Sequence, residues 1–330
     1  MTAMPVSEAS EPGELDSIPS VAPAMNHVSA TGFAGLPSTS PNKISAGQVL
    51  IFGAAEASPY ELGKASHSAE APRALRKASE QFARQLSQFD FDLDRTLLEE
   101  DNHCFADLGD VPTDASDPTG NRANIRDMTA RIAGAGARAL LLGGDDSVPI
   151  PWLWGFEGQG PFTLLQVDAH TDWGDVIQGN PFGYGSPMRR ASEMSWIEAM
   201  VQVGARGLGS GEAWQIADAR AWGSQIVTMR DVRREGISAA VAKVKPGAKV
   251  LLAIDCDGLD PAVLPAVNMP TPGGLTYGDM LELMSGVCAK AELCGAAITE
   301  YVPQHDDARR LSGLVAARLG AVALGLMRRR

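Results

Sequence analysis

The feature that most constrains this chain is an alternation of short apolar, often β-branched runs with longer alanine-rich stretches. "VLIFGA", "CFADLGD", "RALLLGG", "FTLLQVDAH", "AMVQVGARG", "SQIVTM", "VLLAIDCD" and "LCGAAITE" read as strands. Helices are expected between them near residues 70–90, 121–136, 211–221, 235–244, 277–288 and 307–322. Strands that are apolar almost throughout suit a sheet covered on both faces. The pattern therefore predicts βα units in one domain over residues 47–330, a three-layer α/β/α fold with a mostly parallel sheet. Residues 1–46 are rich in Ser, Pro, Gly and Ala and carry no hydrophobic period. They are expected to form a flexible N-terminal arm, or one that orders only on a neighbouring subunit.

In such sheets the polar residues just beyond the carboxyl ends of strands belong to the site rather than the core. "LLQVDAHTDWGD" ends an apolar run with Asp168, His170 and Asp172. A spacing of two points all three side chains the same way for as long as the chain stays extended. "LLAIDCDGLDP" repeats the arrangement with Asp255 and Asp257, and Asp260 follows in a Gly and Pro turn. "LLGGDDSVPIP" adds Asp145 and Asp146 at a third strand end. Any one of these acids alone reads as a strand end reaching water. Together they point to a metal site, because a core does not accept such groups unpaired. Carboxylates bridge cations and an imidazole adds a neutral donor, a set that suits Mn²⁺ and tolerates Ni²⁺ or Zn²⁺. Two ions about 3.5–4 Å apart can share a water, lower its pKa and aim it at an electrophilic carbon.

Composition narrows the partners. A chain of 330 residues that is 45% hydrophobic can bury a full core. No apolar run approaches the roughly 20 residues of a membrane span. The opening "MTAMPVSEAS" lacks the basic start and apolar core of a signal peptide, so a cytoplasmic protein is expected. A formal charge of −12 argues against DNA or RNA and leaves a small cationic substrate open. Cys104, Cys256, Cys288 and Cys294 lack zinc-knuckle spacing and read as small apolar residues rather than disulfides. "LMRRR" reads as the end of a last helix or strand. Trp152 and Trp154 read as packing residues, with cation stacking as the alternative.

The sequence resembles the ureohydrolase family: arginase, agmatinase and the guanidinobutyrase-like amidinohydrolases. The matching pieces are "APRALR", "DLGDV", "GGD", "DAHTD", "DCDGLDP" followed by "PTPGGLTY", and "TEYVPQHD", in family order over roughly residues 48–325. The resemblance implies an arginase-like fold, two Mn²⁺ or Ni²⁺ ions, and attack of a metal-bridging hydroxide on a guanidino carbon to release urea and an amine. It further implies that Asp168 and Asp255 bridge both ions, that Asp172 binds the first, and that His170 and Asp257 bind the second. Glu300 matches the acid that grips the guanidinium, and Asp145 matches the usual acid of "GGD". Family members form trimers or hexamers, so a homo- or hetero-oligomer is expected.

Three departures from the family cluster on these motifs. "GGDDS" puts Asp146 where the family has a histidine on the first metal, adding a fifth negative charge to the ligand set. Such an excess should raise the pKa of the bridging water, favour a protonated ligand, or release the first ion. Tyr184, in "PFGYGSPMRRASE", takes the place of an active-site histidine and is poorly matched to proton exchange at neutral pH. Val267, Asn268 and Met269 stand where the family has Gly-Thr-Gly and are expected to reshape the cavity floor. Two functions follow as expectations. The first is hydrolysis of an agmatine-, guanidinobutyrate- or biguanide-like substrate. The second is a catalytically weak structural or regulatory subunit that assembles with an active paralogue.

Overall fold

Each apolar run named above becomes a strand. In the computed structural model, which describes residues 32–98 and 104–328, the strands in chain order are β1 (Val49–Ala54), β2 (Phe89–Asp90), β3 (Arg95–Thr96), β4 (Phe105–Asp110), β5 (Arg138–Gly143), β6 (Phe162–Val167), β7 (Ile197–Val203), β8 (Gln225–Val227), β9 (Lys249–Asp255) and β10 (Glu292–Thr299). The helices are α1 (Ala71–Ser79), α2 (Pro118–Gly134), α3 (Pro149–Trp154), α4 (Pro187–Ser192), α5 (Ala213–Trp222), α6 (Met229–Glu235), α7 (Ser238–Lys243), α8 (Tyr277–Cys288) and α9 (Leu311–Met327). Eight strands form one sheet in the order β4-β1-β5-β10-β9-β6-β7-β8. Every pairing in it is parallel. β2 and β3 make a separate antiparallel ribbon.

The sheet is covered on both sides, as its apolar strands require. Val49, Ile51, Leu140 and Leu142 face one core with Leu75 of α1, Met284 of α8 and Val322 of α9. Leu50, Phe52, Ala139 and Leu141 face the other with Ile125 of α2, Trp152 of α3 and Met188 of α4. The last strand, β10, enters between β5 and β9, so the carboxyl ends of β5, β10, β9 and β6 stand side by side. No helix among the described residues is long and apolar enough to cross a membrane.

Several expectations change. The helix expected over 70–90 stops at Ser79, and a 3₁₀ turn and the β2–β3 ribbon follow. The stretch 235–244 holds the end of α6 and then α7, parted at Gly236, whose φ of 78° breaks the helix. The segment ahead of residue 47 was expected to be an arm, yet its described part joins the fold from Phe33 onward. Phe33 and Ala34 are buried in the same core as Leu75, and the Phe33 N–H donates to Asp107 at 2.7 Å. Residues 1–31 lie outside the described residues. The motifs "APRALR" and "DLGDV" hold scaffold: buried Arg76 donates from Nε to Asp107 at 2.8 Å and also pairs with Asp110. Removing one partner of such a pair typically costs about 3–5 kcal/mol.

Candidate active site

The strand-end acids gather, although the chain does not stay extended through them. β6 stops at Val167, and Asp168 accepts from the His170 N–H at 2.6 Å, which curls the chain. Asp255 ends β9 and accepts from the Asp257 N–H at 2.7 Å in the same way. Both are the turns that an aspartate makes with the backbone two residues on. Asp172 and Glu300 hold left-handed backbone, with φ of 52° and 62°. Positive φ at such residues costs stability and concentrates at functional sites. Gly144 of "GGD" is needed because its backbone abuts the chain just past β1: a Cβ there would meet the Ala55 carbonyl oxygen.

Two groups of ligand atoms each lie within 4.8 Å of one another: Asp168, His170 and Asp257, and Asp146, Asp168 and Asp255. Asp168 belongs to both, as a bridging carboxylate would, while Asp255 joins only the second. His170 Nδ1 is 3.1 Å from Asp257 and 3.3 Å from Asp168. Asp172 is outside both groups but shares a donor with Asp168. Gln166 Nε2 donates to Asp168 at 2.7 Å and to Asp172 at 2.9 Å. Gln202 Nε2 donates to Gln166 Oε1 at 2.6 Å, and Gln202 in turn accepts from Trp173 Nε1 at 2.9 Å and from the Ser224 hydroxyl at 2.8 Å. This buried amide chain orients the carboxylates. Arg206 donates to the carbonyls of Asp257, Leu259, Gly258, Thr271 and Gly204, fastening the turn that carries Asp257. Hard oxygens with one imidazole and no thiolate form a donor set that fits divalent ions.

Without a cation the cluster resists ionisation. Burial, then the neighbouring carboxylates, holds Asp146, Asp168 and Asp255 well above the usual carboxylate range. Asp172 is raised by its burial as well. Asp257 is the exception: burial pushes it up, but the hydrogen bond and charge of His170 bring it below its ordinary value. His170 is raised, since Asp257 outweighs a burial that acts the other way. Thr299 Oγ1 donates to Asp146 at 2.6 Å, and the Asp146 N–H donates to Glu300 at 2.9 Å.

A cleft of about 530 Å³ opens over these groups, with Asp146, His170, Asp172, Tyr184, Met269 and Glu300 on its wall. Glu300 Oε2 lies 2.6 Å from His67 Nε2, a partner that the sequence reading did not single out. His67 meets Tyr184 edge-on with 5.6 Å between ring centroids, and Tyr184 meets Tyr60 at 4.6 Å. Tyr184 is raised above the ordinary phenol value by burial and then by Glu300. Burial also raises Glu300, against the pull of His67. Asp145 is not on the cleft wall: its carboxylate is buried in the turn before α3, where it accepts from the Ser147 N–H at 3.0 Å. Of the three residues expected to reshape the floor, Asn268 and Met269 line the cleft. Val267 instead packs in the core. Trp152 is buried against Phe156 on α3, a packing role.

Known proteins resemble this chain in sequence and in fold. The Arginase family matches residues 49–325. The mitochondrial arginase of Medicago truncatula is 29% identical over 228 residues, covering 66% of this chain and 66% of that enzyme. The N(1)-aminopropylagmatine ureohydrolase of Thermus thermophilus is 32% identical over 203 residues, covering 61% of this chain and 67% of that enzyme. The chain thus spans about two thirds of the length of these curated relatives. The crystal structure of a hypothetical agmatinase from Burkholderia thailandensis superposes with a TM-score of 0.76 at 24% identity, over 92% of each chain, and so shares the three-layer fold. With the family matched across the whole sheet and its strand-tip acids, the chain belongs to the arginase family of ureohydrolases.

Proposed function

We propose that this chain hydrolyses a C–N bond of a small guanidino cation, releasing urea or a urea derivative and an amine. Asp146, Asp168, His170, Asp172, Asp255 and Asp257 are the residues that would hold two divalent ions, Mn²⁺ or Ni²⁺. The observation that carries the reading is the membership of Asp168 in both ligand groups. When bound, such ions supply a water acidic enough to be a nucleophile near neutral pH.

The remaining residues bind and orient. Glu300 is fixed by the Asp146 N–H and by His67, and a carboxylate suits a planar guanidinium. Tyr184 stays protonated across the neutral range, so it donates a hydrogen bond rather than exchanging its proton. Burial works against a charge on His67, but the hydrogen bond and charge of Glu300 raise its pKa above the ordinary value. His67 is therefore the imidazole beside Glu300 and Tyr184 whose hold on a proton Glu300 strengthens, and it is the group assigned to serve the leaving amine.

The test is urea release by the purified chain loaded with Mn²⁺ or Ni²⁺ and given agmatine or 4-guanidinobutyrate. Turnover is expected, and Asp168→Asn should lower it by about a thousandfold or more. Absence of urea from a chain that demonstrably retains metal overturns the proposal.

A further inference from the structure

The cleft wall carries a charge pattern that discriminates among guanidino compounds. Asp146, Asp172, Glu212, Asp255, Asp257 and Glu300 line it, and among the described residues no lysine or arginine does. Even two divalent cations would leave this wall negative. The basic side chains next along the chain are committed elsewhere. Arg206 is spent on main-chain carbonyls, Arg189 pairs with Asp218 at 2.7 Å and Arg190 with Asp175 at 2.5 Å.

Two of the neutral groups that could receive an anion are also taken, while Asn268 and Tyr184 remain on the wall as uncharged donors. The Ser210 hydroxyl, on the cleft wall, donates to the Arg206 carbonyl. The N-terminus of α5 opens beside the cleft, where helix amides would attract a carboxylate. Its cap residue is itself an acid, Glu212. Glu212 accepts from Trp214 Nε1 at 2.8 Å, and its N–H is bound by the Gln215 side chain at 2.8 Å. A second carboxylate arriving there meets a like charge, whereas a cation or a neutral alkyl group does not. Ile177, Tyr184 and Met269 supply apolar wall for such an alkyl group.

Resting on the hydrolase reading above, we infer that the substrate is a guanidino cation without a carboxylate, its tail neutral or cationic, and that Glu212 is the residue that rejects an acidic tail. A buried or rim carboxylate without a partner is disfavoured both by lost solvation and by repulsion.

Agmatine and 4-guanidinobutyrate are the probes, because they match closely in length and differ in the charge of the tail. Metal-loaded wild type is expected to favour agmatine over 4-guanidinobutyrate by about tenfold or more in kcat/KM, and calorimetric binding should rank them likewise. Glu212→Lys should narrow or invert that ratio by about tenfold, and Glu212→Gln, which keeps the size and the polar cap, should narrow it several-fold. Equal or better use of 4-guanidinobutyrate by wild type overturns the inference and leaves the hydrolase reading standing. So does a ratio that neither folded variant moves. Failure of metal-loaded wild type to bind or cleave either compound overturns both.

Discussion

His67 and Glu300 decide how much negative charge the cleft offers an incoming cation. Their side chains are 23% and 9% exposed. The Glu300 hydrogen bond and charge, with Asp145 behind, outweigh the burial that would lower the imidazole pKa. A raised folded value means that the folded protein binds the proton more tightly than the unfolded chain. The pair's stabilisation is then full below the ordinary imidazole range and fades as pH rises through the folded value. His67→Asn is expected to cost about 1–2 kcal/mol in urea unfolding at about pH 6, and clearly less at about pH 9. A cost independent of pH contradicts the pairing. Asp146 is the other decisive residue. Asp146→His removes a surplus negative charge, so it should tighten retention of the first metal ion, the one Asp146 would hold, read as metal content after dialysis. These two differ in how visible they were. Asp146 stands inside a short motif whose neighbours declare it. His67 acquires meaning only from a partner 233 positions away, and nothing local to "KASHSAE" carries that signal.

At the scale of elements, the strand tips are held by residues that never touch substrate. Gln166 on β6 splits one amide between Asp168 and Asp172, and Gln202 on β7 holds Gln166. Gln166→Leu should keep the fold and lower metal affinity about 10–100-fold, measured by competition with a chelator. Arg206→Lys should do the same by loosening the Asp257 turn, since one ammonium does not replace a fork bound to several carbonyls. Gln166 was legible in retrospect, because it lies two residues before Asp168 and shares its strand phase. The strands themselves were legible because composition and period are local properties. α3 and α4 were not: each is six residues long and opens on a proline, too short to show a helical period. The spacing of the acids held only while the chain stayed extended and did not show the turns after Asp168 and Asp255, where each aspartate bonds the backbone two residues on.

The whole molecule is acidic and concentrates part of that charge in one buried cluster. In the metal-free protein Asp146, Asp168 and Asp255 are raised by burial and mutual repulsion. For an acid, a raised folded value costs stability as pH climbs from the ordinary carboxylate range toward the folded value. Cation binding removes that cost and displaces the protons. The gain in melting temperature on adding Mn²⁺ should therefore be larger at about pH 8 than at about pH 5. Binding at about pH 7 should release protons, seen as a buffer-dependent heat. What no local reading supplies is the insertion of the last strand, β10, between β5 and β9, since sheet order is settled by the packing of all helices at once. That insertion brings Glu300 beside Asp146 and completes the site. The most direct test of the account is elemental analysis of the purified chain, loaded with Mn²⁺ or Ni²⁺ and then desalted. About two ions per chain, falling to one or none in Asp168→Ala, is the predicted result; a fully supplied, folded chain that retains no ion contradicts it.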